Sequence, residues 1–320
     1  MIVVAGEGLI DLIGEDGSLR PYPGGGPFNT AVALGRLGVP VGFFGRLSSD
    51  RFGRLLEACL LDSGVDGRYV LHGPAPTPLA VVHETAEGDH EFAFYLAGTA
   101  YADITTADLP ELAPDVVAVS AGTLGLASDP PAGSIEQLLE RESGSRLIVV
   151  DPNVRPAVFG DRDAYRRRFE RCASFAHVVK LSDADAQWLY PGVSLESVVD
   201  ILLELGVRFA VLTRGADGAL AKTAVGSADV GSPPIEVVDT VGAGDAFGAG
   251  LLCWLWASDR LDAESVGLLD EDALSSGLRF AAGVGALQCS RAGATPPTLG
   301  EVDAFLQRQS VDGLSRHRAS

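Results

Sequence analysis

Paired cysteines, long apolar runs and basic clusters are all missing from this sequence. Its four cysteines lie far apart and form no Cys-x-x-Cys pair, which argues against a zinc site and a disulfide framework. The longest apolar run, residues 246–257, is well short of the ~20 residues that a membrane-spanning helix needs. Residues 1–7 carry no basic leader, so we expect no signal peptide and a cytoplasmic protein.

Positive charge is also scarce. The chain of 320 residues has 24 Lys and Arg against 43 Asp and Glu, a formal net charge of −19. Such a surface repels phosphate backbones and anionic lipid heads, so we expect neither nucleic-acid nor membrane partners. Glycine, by contrast, is abundant, with 39 residues in 320, well above the usual share of ~7%.

Short β-branched runs alternate with amphipathic stretches from about residue 110 onward. Four runs are continuously apolar, which is typical of buried parallel strands; they are residues 116–119, 147–150, 178–181 and 209–212. Between them, residues 134–142 and 194–205 have helical patterns. This alternation predicts an α/β sheet covered by helices on both faces.

The first hundred residues follow a different pattern. Segments 79–84 and 90–96 alternate apolar and polar residues around a turn at 86–89, and segment 9–23 has a similar character with a turn at 15–17. Helical periodicity covers residues 30–37 and 52–61. We expect these segments to form antiparallel hairpins in a small, discontinuous sheet, inserted into the α/β body, that covers either a cleft or a partner subunit.

A glycine-rich segment carries the strongest chemical signal. Residues 239–250 read Asp-Thr-Val-Gly-Ala-Gly-Asp-Ala-Phe-Gly-Ala-Gly and continue into an apolar helical pattern. Backbone N–H groups at such a helix start can bind phosphate without a lysine, even in a protein of this charge. Asp245, in the first turn, is a candidate general base. The alternative is a carboxylate placed there only by the helix dipole.

A second glycine cluster, residues 22–29, reads Tyr-Pro-Gly-Gly-Gly-Pro-Phe-Asn. Glycines let a ligand approach the backbone, and the amide of Asn29 both donates and accepts hydrogen bonds, which suits a polyol. The alternative interpretation is a flexible turn with Asn29 as a helix N-cap. A further segment, residues 45–53, closes a strand and opens a helix.

Together these motifs resemble those of the ribokinase family, the PfkB-type carbohydrate kinases, from residue 6 to about residue 306. Segments 22–29 and 45–53 are similar to its N-terminal signature, and 239–245 to its C-terminal signature Asp-Thr-x-Gly-Ala-Gly-Asp. The resemblance implies a ribokinase-like three-layer α/β/α fold with a mostly parallel central sheet and a small β-sheet lid. We assign residues 1–10, 24–66 and 100–310 to the core, 11–23 and 67–99 to the lid, and 311–320 to a frayed tail.

The resemblance also implies roles for individual residues. Asp245 is the expected base for a sugar hydroxyl, and the expected anion hole for the γ-phosphoryl group of ATP consists of Gly242, Ala243 and Gly244. The expected sugar contacts are Asp11, Gly25, Gly26, Asn29 and Arg155, with Tyr95 either a sugar contact or part of the lid core.

The nucleotide and metal sites match the family more loosely. Thr213, Gly215 and Gly218 follow its Thr-x-Gly-x-x-Gly pattern, which implies ATP, and the expected nucleotide site also includes Ser182, Ala281 and Gly293. Ser182-x-x-Asp185 stands where the family has Asn-x-x-Glu, so Asp185 is expected to hold Mg²⁺ indirectly. Asp239 is a candidate ligand for a monovalent cation such as K⁺.

Two segments bear on the identity of the sugar. Residues 151–159 are similar to a stretch typical of the fructokinase and 2-keto-3-deoxygluconate kinase branch. In the latter kinases the place of Leu96 usually holds an arginine that binds a carboxylate, so an apolar residue favours a neutral sugar, D-fructose first. The alternatives are 2-keto-3-deoxygluconate kinase, then ribokinase or nucleoside kinase, and a sugar-binding regulatory protein without catalysis. A homodimer through the lid sheet is also expected.

Overall fold

Thirteen strands and ten α-helices make up the part of the chain that the computed structural model describes, residues 1–15, 18–84 and 90–317. The strands are β1 (Ile2–Ala5), β2 (Leu9–Glu15), β3 (Ser18–Gly24), β4 (Val41–Ser48), β5 (Val70–Gly73), β6 (Leu79–Glu84), β7 (His90–Tyr95), β8 (Ala118–Gly122), β9 (Leu147–Asp151), β10 (Val178–Ser182), β11 (Phe209–Thr213), β12 (Ala219–Lys222) and β13 (Ser227–Val230). The helices are α1 (Gly26–Arg36), α2 (Arg51–Asp62), α3 (Pro131–Glu142), α4 (Arg162–Phe175), α5 (Asp183–Leu189), α6 (Leu195–Glu204), α7 (Ala243–Ala257), α8 (Ala263–Gly267), α9 (Glu271–Cys289) and α10 (Leu299–His317).

Nine of the described strands form the central sheet, in the order β13-β12-β11-β10-β9-β8-β1-β4-β5. The strands from β11 to β5 run parallel, and β12 and β13 add an antiparallel edge. The parallel sheet predicted from the apolar runs is therefore confirmed. Strand order reverses between β8 and β1, and in open α/β sheets such a reversal opens a ligand-binding crevice at the carboxyl ends of the strands.

Helices cover both faces of the central sheet because successive strand residues point to opposite sides. In β1, Ile2 and Val4 pack into the same apolar core as α1, α7 and α9. Val3 and Ala5 pack into a second core with α3, α4 and α6. All four residues are buried, and the result is the expected three-layer α/β/α architecture.

Local sequence signals set the helix ends. Ser194 caps α6 by accepting a hydrogen bond from the N–H of Ser197, and Gly206, just past its end, has a φ of 103°, a left-handed conformation that glycine adopts without strain. Helix α1 begins at Gly26, earlier than the predicted residue 30. Pro27 suits this early start because its fixed φ fits the first helical turn.

The second sheet contains four described strands, in the order β3-β2-β6-β7. The pairs β2–β3 and β6–β7 are antiparallel, as predicted, and β2 joins the two hairpins by pairing in parallel with β6. The turns predicted around residues 16–17 and 86–89 lie outside the described residues. Because its strands come from two separate segments, the small sheet is discontinuous, as expected.

Three boundaries differ from the prediction. β5, assigned to the lid, pairs with β4 in the central sheet, because α2 returns the chain parallel to β4. Residues 9, 10 and 24 belong to the small sheet instead of the core. α10 continues to His317, through most of the predicted frayed tail, because no proline interrupts its backbone hydrogen bonds. No described helix is long and apolar enough to cross a bilayer.

Candidate active site

The start of α7 lies at the crevice and faces two cavities. Gly242 is its N-cap, with a left-handed φ of 73°, a conformation that side chains with a β-carbon seldom adopt. The helix begins directly after this turn, at Ala243. As in any α-helix, the N–H groups of its first turn have no carbonyl acceptors within the helix. Thr240 and Gly244 line both cavities. The predicted anion hole therefore lies where the two cavities meet.

Asp245, in the first turn of α7, is buried, with 7% of its surface exposed. Its Oδ2 accepts a hydrogen bond of 2.9 Å from the side-chain amide of Asn29, and its Oδ1 accepts one of 3.2 Å from that of Asn153. Burial raises the pKa of Asp245, while Asn29, Lys180 and Arg155 lower it in part. A carboxylate with a raised pKa is a stronger proton acceptor, which suits a general base.

The acidic cavity, as we call the one beside the oxygens of Asp245, has a volume of about 390 Å³. It brings together five of the six predicted sugar contacts, and its polar lining residues include Glu7, Asp11, Asn29, Asn153, Arg155 and Asp245, with Gly25 and Gly26. Burial raises the pKa of Asp11 to about 7, against the opposing effect of Arg155. Carboxyl and amide groups around a glycine-lined wall form a surface suited to a polyol.

Glu7 forms a hydrogen bond with the backbone of the glycine segment that lines the acidic cavity. It is fully buried; its Oε1 accepts a hydrogen bond of 3.2 Å from the N–H of Gly26, and its Oε2 has no hydrogen-bond partner among the described residues. Burial raises the pKa of Glu7 to about 8. Gly26 itself cannot carry a side chain, because a β-carbon there would lie 2.3 Å from Oγ1 of Thr123.

The apolar cavity, as we call the second one, has a volume of about 420 Å³ and contains Thr213, Gly215 and Gly218, three of the residues predicted for the nucleotide site. Its opposite wall comes from α9, through Ala282, Gly285, Ala286 and Cys289. These positions follow the helical spacing of three and four residues, so they share one face. The predicted Ala281 lies on another face, buried against Gly250 of α7. A largely apolar cavity of this size suits a nucleobase.

Tyr95 does not line the acidic cavity, contrary to one of the two interpretations of this residue. Its side chain is 60% exposed, so it is not part of a lid core either. Its neighbour on β7, Phe94, lines the cavity instead, because adjacent strand residues point to opposite faces of a sheet.

Ser182 and Asp185 form a capping box at the start of α5, away from the lining of either cavity. Oδ2 of Asp185 accepts the N–H of Ser182, and its Oδ1 accepts the N–H of Val154. Among the described residues no group of three or more metal-ligating side chains occurs. Magnesium keeps most of its waters and needs only one or two carboxylates. Asp185 and the nearby Asp151, whose Oδ1 is buried and has no partner among the described residues, fit a magnesium ion held through water.

Gly293, predicted for the nucleotide site, is absent from the lining of the apolar cavity and lies against Asp239, but the structure does not fit a potassium ion between them. The two carboxylate oxygens of Asp239 accept the N–H groups of Val241 and Gly293. The side-chain amide of the buried Gln288 donates to the carbonyl oxygens of Val241 (3.0 Å) and Gly293 (2.6 Å). A neutral amide thus links the oxygens that would have to surround a cation.

Besides Glu7, three residues around the candidate base were not among the predicted contacts. Asn153 and Thr123 follow β9 and β8 at the crevice, and Nδ2 of Asn153 donates to Oγ1 of Thr123. Asn153 has a φ of 37°, a left-handed conformation that asparagine adopts more readily than most residues. The asparagine in the stretch Asp151-x-Asn153-x-Arg155 was therefore a sign of a special backbone position. Lys180 is the third, and a lysine within the apolar strand β10 was itself a sign of a special role, because buried lysines are rare unless paired.

Comparison with known proteins agrees with this geometry. The family profile described as pfkB family carbohydrate kinase matches residues 1–299. A fructokinase from Rhizobium leguminosarum bv. trifolii is 40% identical over 282 residues, which cover 87% of this chain and 86% of the relative. The structure of a fructokinase from Xylella fastidiosa with bound ATP superposes with a TM-score of 0.88 at 29% identity, over 97% of this chain and 98% of the other. A fructokinase from Vibrio cholerae O395, in its fructose, ADP and calcium ion bound form, superposes with a TM-score of 0.84 at 29% identity, over 95% of this chain and 98% of the other.

Proposed function

This chain belongs to the pfkB family of carbohydrate kinases, and we propose on that basis that it is an ATP-dependent fructokinase. The observation that carries the proposal is the position of Gly244 and Asp245. Gly244 lines both the acidic and the apolar cavity, and Asp245 points its carboxylate into the acidic one. A sugar in one cavity and a nucleotide in the other would meet at the start of α7.

The reaction needs a base beside the acceptor hydroxyl. Asp245 accepts the proton of a primary hydroxyl of fructose while the hydroxyl oxygen forms a bond to the γ-phosphorus of ATP. The bond between that phosphorus and the bridging β,γ-oxygen breaks, and ADP leaves with the bonding electron pair. The hydrogen bonds from Asn29 and Asn153 hold the carboxylate in one orientation, which reduces the entropy lost on reaching the transition state.

The negative charge that develops on the transferring group is met by backbone dipoles. The first-turn N–H group of Gly244 would donate a hydrogen bond to a phosphoryl oxygen, and the helix dipole adds partial positive charge. The N–H group of Ala243 donates a hydrogen bond of 3.2 Å to the carbonyl oxygen of Thr240 and would have to exchange this acceptor for a phosphoryl oxygen. Magnesium bound to ATP would neutralise further phosphate charge, held through water by Asp151 and Asp185. The apolar cavity, with Thr213 and the glycines of the β11–β12 turn, would hold the nucleoside.

A neutral sugar suits the charges of the acidic cavity. Glu7, Asp11 and Asp245 line it together with a single guanidinium among the described lining residues, that of Arg155. Nη1 of Arg155 already donates to the backbone oxygens of Asn153 and Val154 and to Oδ1 of Asn153. A sugar carboxylate would therefore meet the carboxyl groups of Asp11 and Asp245 and an arginine that is partly engaged, which disfavours an acidic sugar.

The small sheet serves as the lid of this site. Phe94 of β7 and Leu9 and Asp11 of β2 line the acidic cavity, so the sheet forms one of its walls. Closing that wall over bound sugar would exclude water from the phosphoryl group and limit hydrolysis of ATP. The exposed Tyr95 and Leu19 of the same sheet are the surface through which we propose that two copies pair, in the cytoplasm.

A coupled ADP-release assay tests the proposal. Purified protein, ATP and magnesium are combined in turn with fructose, ribose, 2-keto-3-deoxygluconate, inosine and adenosine. We expect kcat/KM for fructose to exceed that for each other acceptor by at least about tenfold, equivalent to about 1.4 kcal/mol. A higher value for any other acceptor, or ADP release independent of acceptor, would contradict a fructokinase.

A further inference from the structure

A third cavity lies outside the active site, where the loop that follows β9 enters α4. It has a volume of about 340 Å³, which falls within the range of ~300–1,000 Å³ that is common for small-molecule sites. The charged residues of its described lining are Asp161, Arg167, Arg168 and Arg171. We call it the arginine cavity.

Positive charge is concentrated on α4, against the trend of the chain. The helix contains five arginines and two acidic residues, in a protein with a net charge of −19. Arg171 follows Arg167 by four residues and Arg168 by three, so the three side chains meet on one side of the helix. A local cationic surface of this kind attracts an anion that the rest of the protein repels.

The described acidic side chains neutralise these arginines only in part. Arg168 and Arg171 share the carboxylate of Glu136, and Arg168 also pairs with Asp129. Nε of Arg168 is buried without a hydrogen-bond partner among the described residues, and the nearest oxygen of Glu136 lies 3.6 Å away. Arg167 forms no ion pair or side-chain hydrogen bond with any described residue.

Asp161, the acidic member of the described lining, is already engaged. Its Oδ1 accepts the N–H groups of Asp163 and Ala164 and so caps α4. The carboxylate therefore stabilises the start of the helix and leaves the guanidinium of Arg167 without an acceptor. A bound anion would supply that acceptor.

The donors and the shape of the cavity indicate which anion fits. Guanidinium groups bind phosphate through paired hydrogen bonds, and several of them together suit a doubly charged phosphate. The lining also includes Phe159 and Tyr165, whose rings stack with centroids 4.1 Å apart. Such a wall suits the organic part of a phosphate monoester, a molecule that carries one phosphate group on a carbon skeleton.

One lining residue connects the cavity to the candidate base. The hydroxyl of the buried Tyr165 donates a hydrogen bond of 3.1 Å to the carbonyl oxygen of Pro152. The next residue, Asn153, donates to Oδ1 of Asp245. A ligand that packs against Tyr165 therefore acts on the backbone that positions Asn153.

We propose that the arginine cavity is an effector site for a phosphate monoester, and that its occupation raises the kcat/KM of the kinase reaction. Binding does not depend on the proposed function, whereas the effect on turnover rests on it. A ligand that holds Tyr165 and the loop after β9 restricts the motion of Asn153. The carboxylate of Asp245 is then held more firmly in its reactive orientation.

Calorimetry with phenyl phosphate tests the site. The protein is first mixed with ADP, magnesium and fructose to fill the active site, and inorganic phosphate and phenol are titrated in parallel. We expect one phenyl phosphate per chain, bound at least about tenfold more tightly than either fragment. No binding would overturn the proposal, and equal binding of inorganic phosphate would overturn an organic ligand.

Variants show where the probe binds. Arg167 and Arg171 are exposed, so Arg167→Ala and Arg171→Ala should leave the fold intact and weaken binding by about tenfold or more. Arg166→Ala is the matched control, because Arg166 is adjacent on α4 and outside the lining of the cavity. Equal affinity in all three variants would place the probe elsewhere and overturn the site.

Kinetics test the connection to the active site. Saturating phenyl phosphate should raise kcat/KM for fructose by about fivefold or more, at the lower end of common allosteric coupling. Tyr165→Phe removes the hydrogen bond to Pro152 and should keep binding but lose the activation. Binding with an unchanged or lower kcat/KM would overturn the effector role alone. Absence of turnover with every acceptor would overturn the kinase function, while the binding result would still stand.

Discussion

The side-chain amide of Asn29 donates a hydrogen bond of 2.9 Å to Oδ2 of Asp245. It joins the first helix of the chain to the start of α7. Asn29 and Asn153 are the two asparagines of the sequence, and both donate to this carboxylate. Asn29 therefore does more than cap a helix, the simpler interpretation of its sequence position, since it lies within α1 and holds the candidate base.

Replacing Asp245 by asparagine should abolish most turnover without abolishing binding. The substitution Asp245→Asn removes the proton acceptor but keeps the shape of the side chain, so we expect kcat to fall by about 10²–10⁴-fold. Fructose binding, measured by calorimetry, should remain within a few-fold of wild type. Asp272→Asn, in the first turn of α9 and exposed, is the control. Wild-type kcat in the Asp245 variant would exclude it as the base.

Removing the Asn29 amide should move the acid limb of the pH–rate profile. The hydrogen bond from Asn29 lowers the pKa of Asp245, so Asn29→Ala should raise that pKa further. The base must be deprotonated to act, and kcat/KM should therefore begin to fall at a higher pH, by up to about one pH unit. The measurement is kcat/KM for fructose between pH 4 and 9 at saturating ATP. An acid limb that stays in place or moves to lower pH would contradict the assigned interaction.

Glu7 should make the folded protein less stable as the pH rises. Its pKa is about 8 in the fold, against 4.5 as a reference, so between these values the unfolded chain has lost the proton that the folded chain keeps. The free energy of unfolding then falls with pH, by up to about 1.4 kcal/mol per pH unit from this group. Glu7→Gln should remove that part of the slope, measured by urea unfolding from pH 4.5 to 8. Equal slopes in the two proteins would show that Glu7 is ionised in the fold.

Gln288 should make activity insensitive to monovalent cations. Its amide links the carbonyl oxygens that would otherwise be available to a cation, so kcat and Tm should be the same in potassium, sodium and tetramethylammonium chloride. Gln288→Ala frees both carbonyls, and we expect potassium to stabilise that variant selectively. Gln137→Ala, on α3 and exposed, is the control. Strong potassium activation of the wild-type protein would contradict this interpretation.

Arginine at position 96 should broaden substrate use toward acidic sugars. Leu96 is half-buried just beyond β7, two residues from the cavity-lining Phe94. Leu96→Arg would bring a second guanidinium toward the acidic cavity, and we expect kcat/KM for 2-keto-3-deoxygluconate relative to fructose to rise by about 10-fold or more. Leu96→Met keeps the apolar character and is the matched control. An unchanged ratio would show that this position does not set acceptor charge.

The sequence predicts what depends on periodicity and signature, and misses what depends on contacts across the fold. The parallel strands, the two hairpins and the position of Asp245 follow from local pattern. The roles of Asn153, Glu7 and Lys180 do not, because each depends on a partner far away in the chain. The prediction for Ala281 was wrong for a related reason. The packing of α9 against Gly250 of α7 determines which face of α9 lines the cavity. Small residues occur on both faces of α9, so the sequence does not show which face this is.

Different segments of the chain line the two active-site cavities, so different parts of the gene encode them. The apolar cavity is lined entirely by residues between Thr213 and Cys289, and the acidic cavity by residues up to Arg155 together with 240–245. Recombination between related genes within the interval from Arg155 to Thr213 would combine most of the acidic cavity of one parent with the apolar cavity of the other. Preference for a sugar and preference for a nucleotide can therefore be inherited and altered separately, with only the loop at the start of α7 subject to both selective pressures.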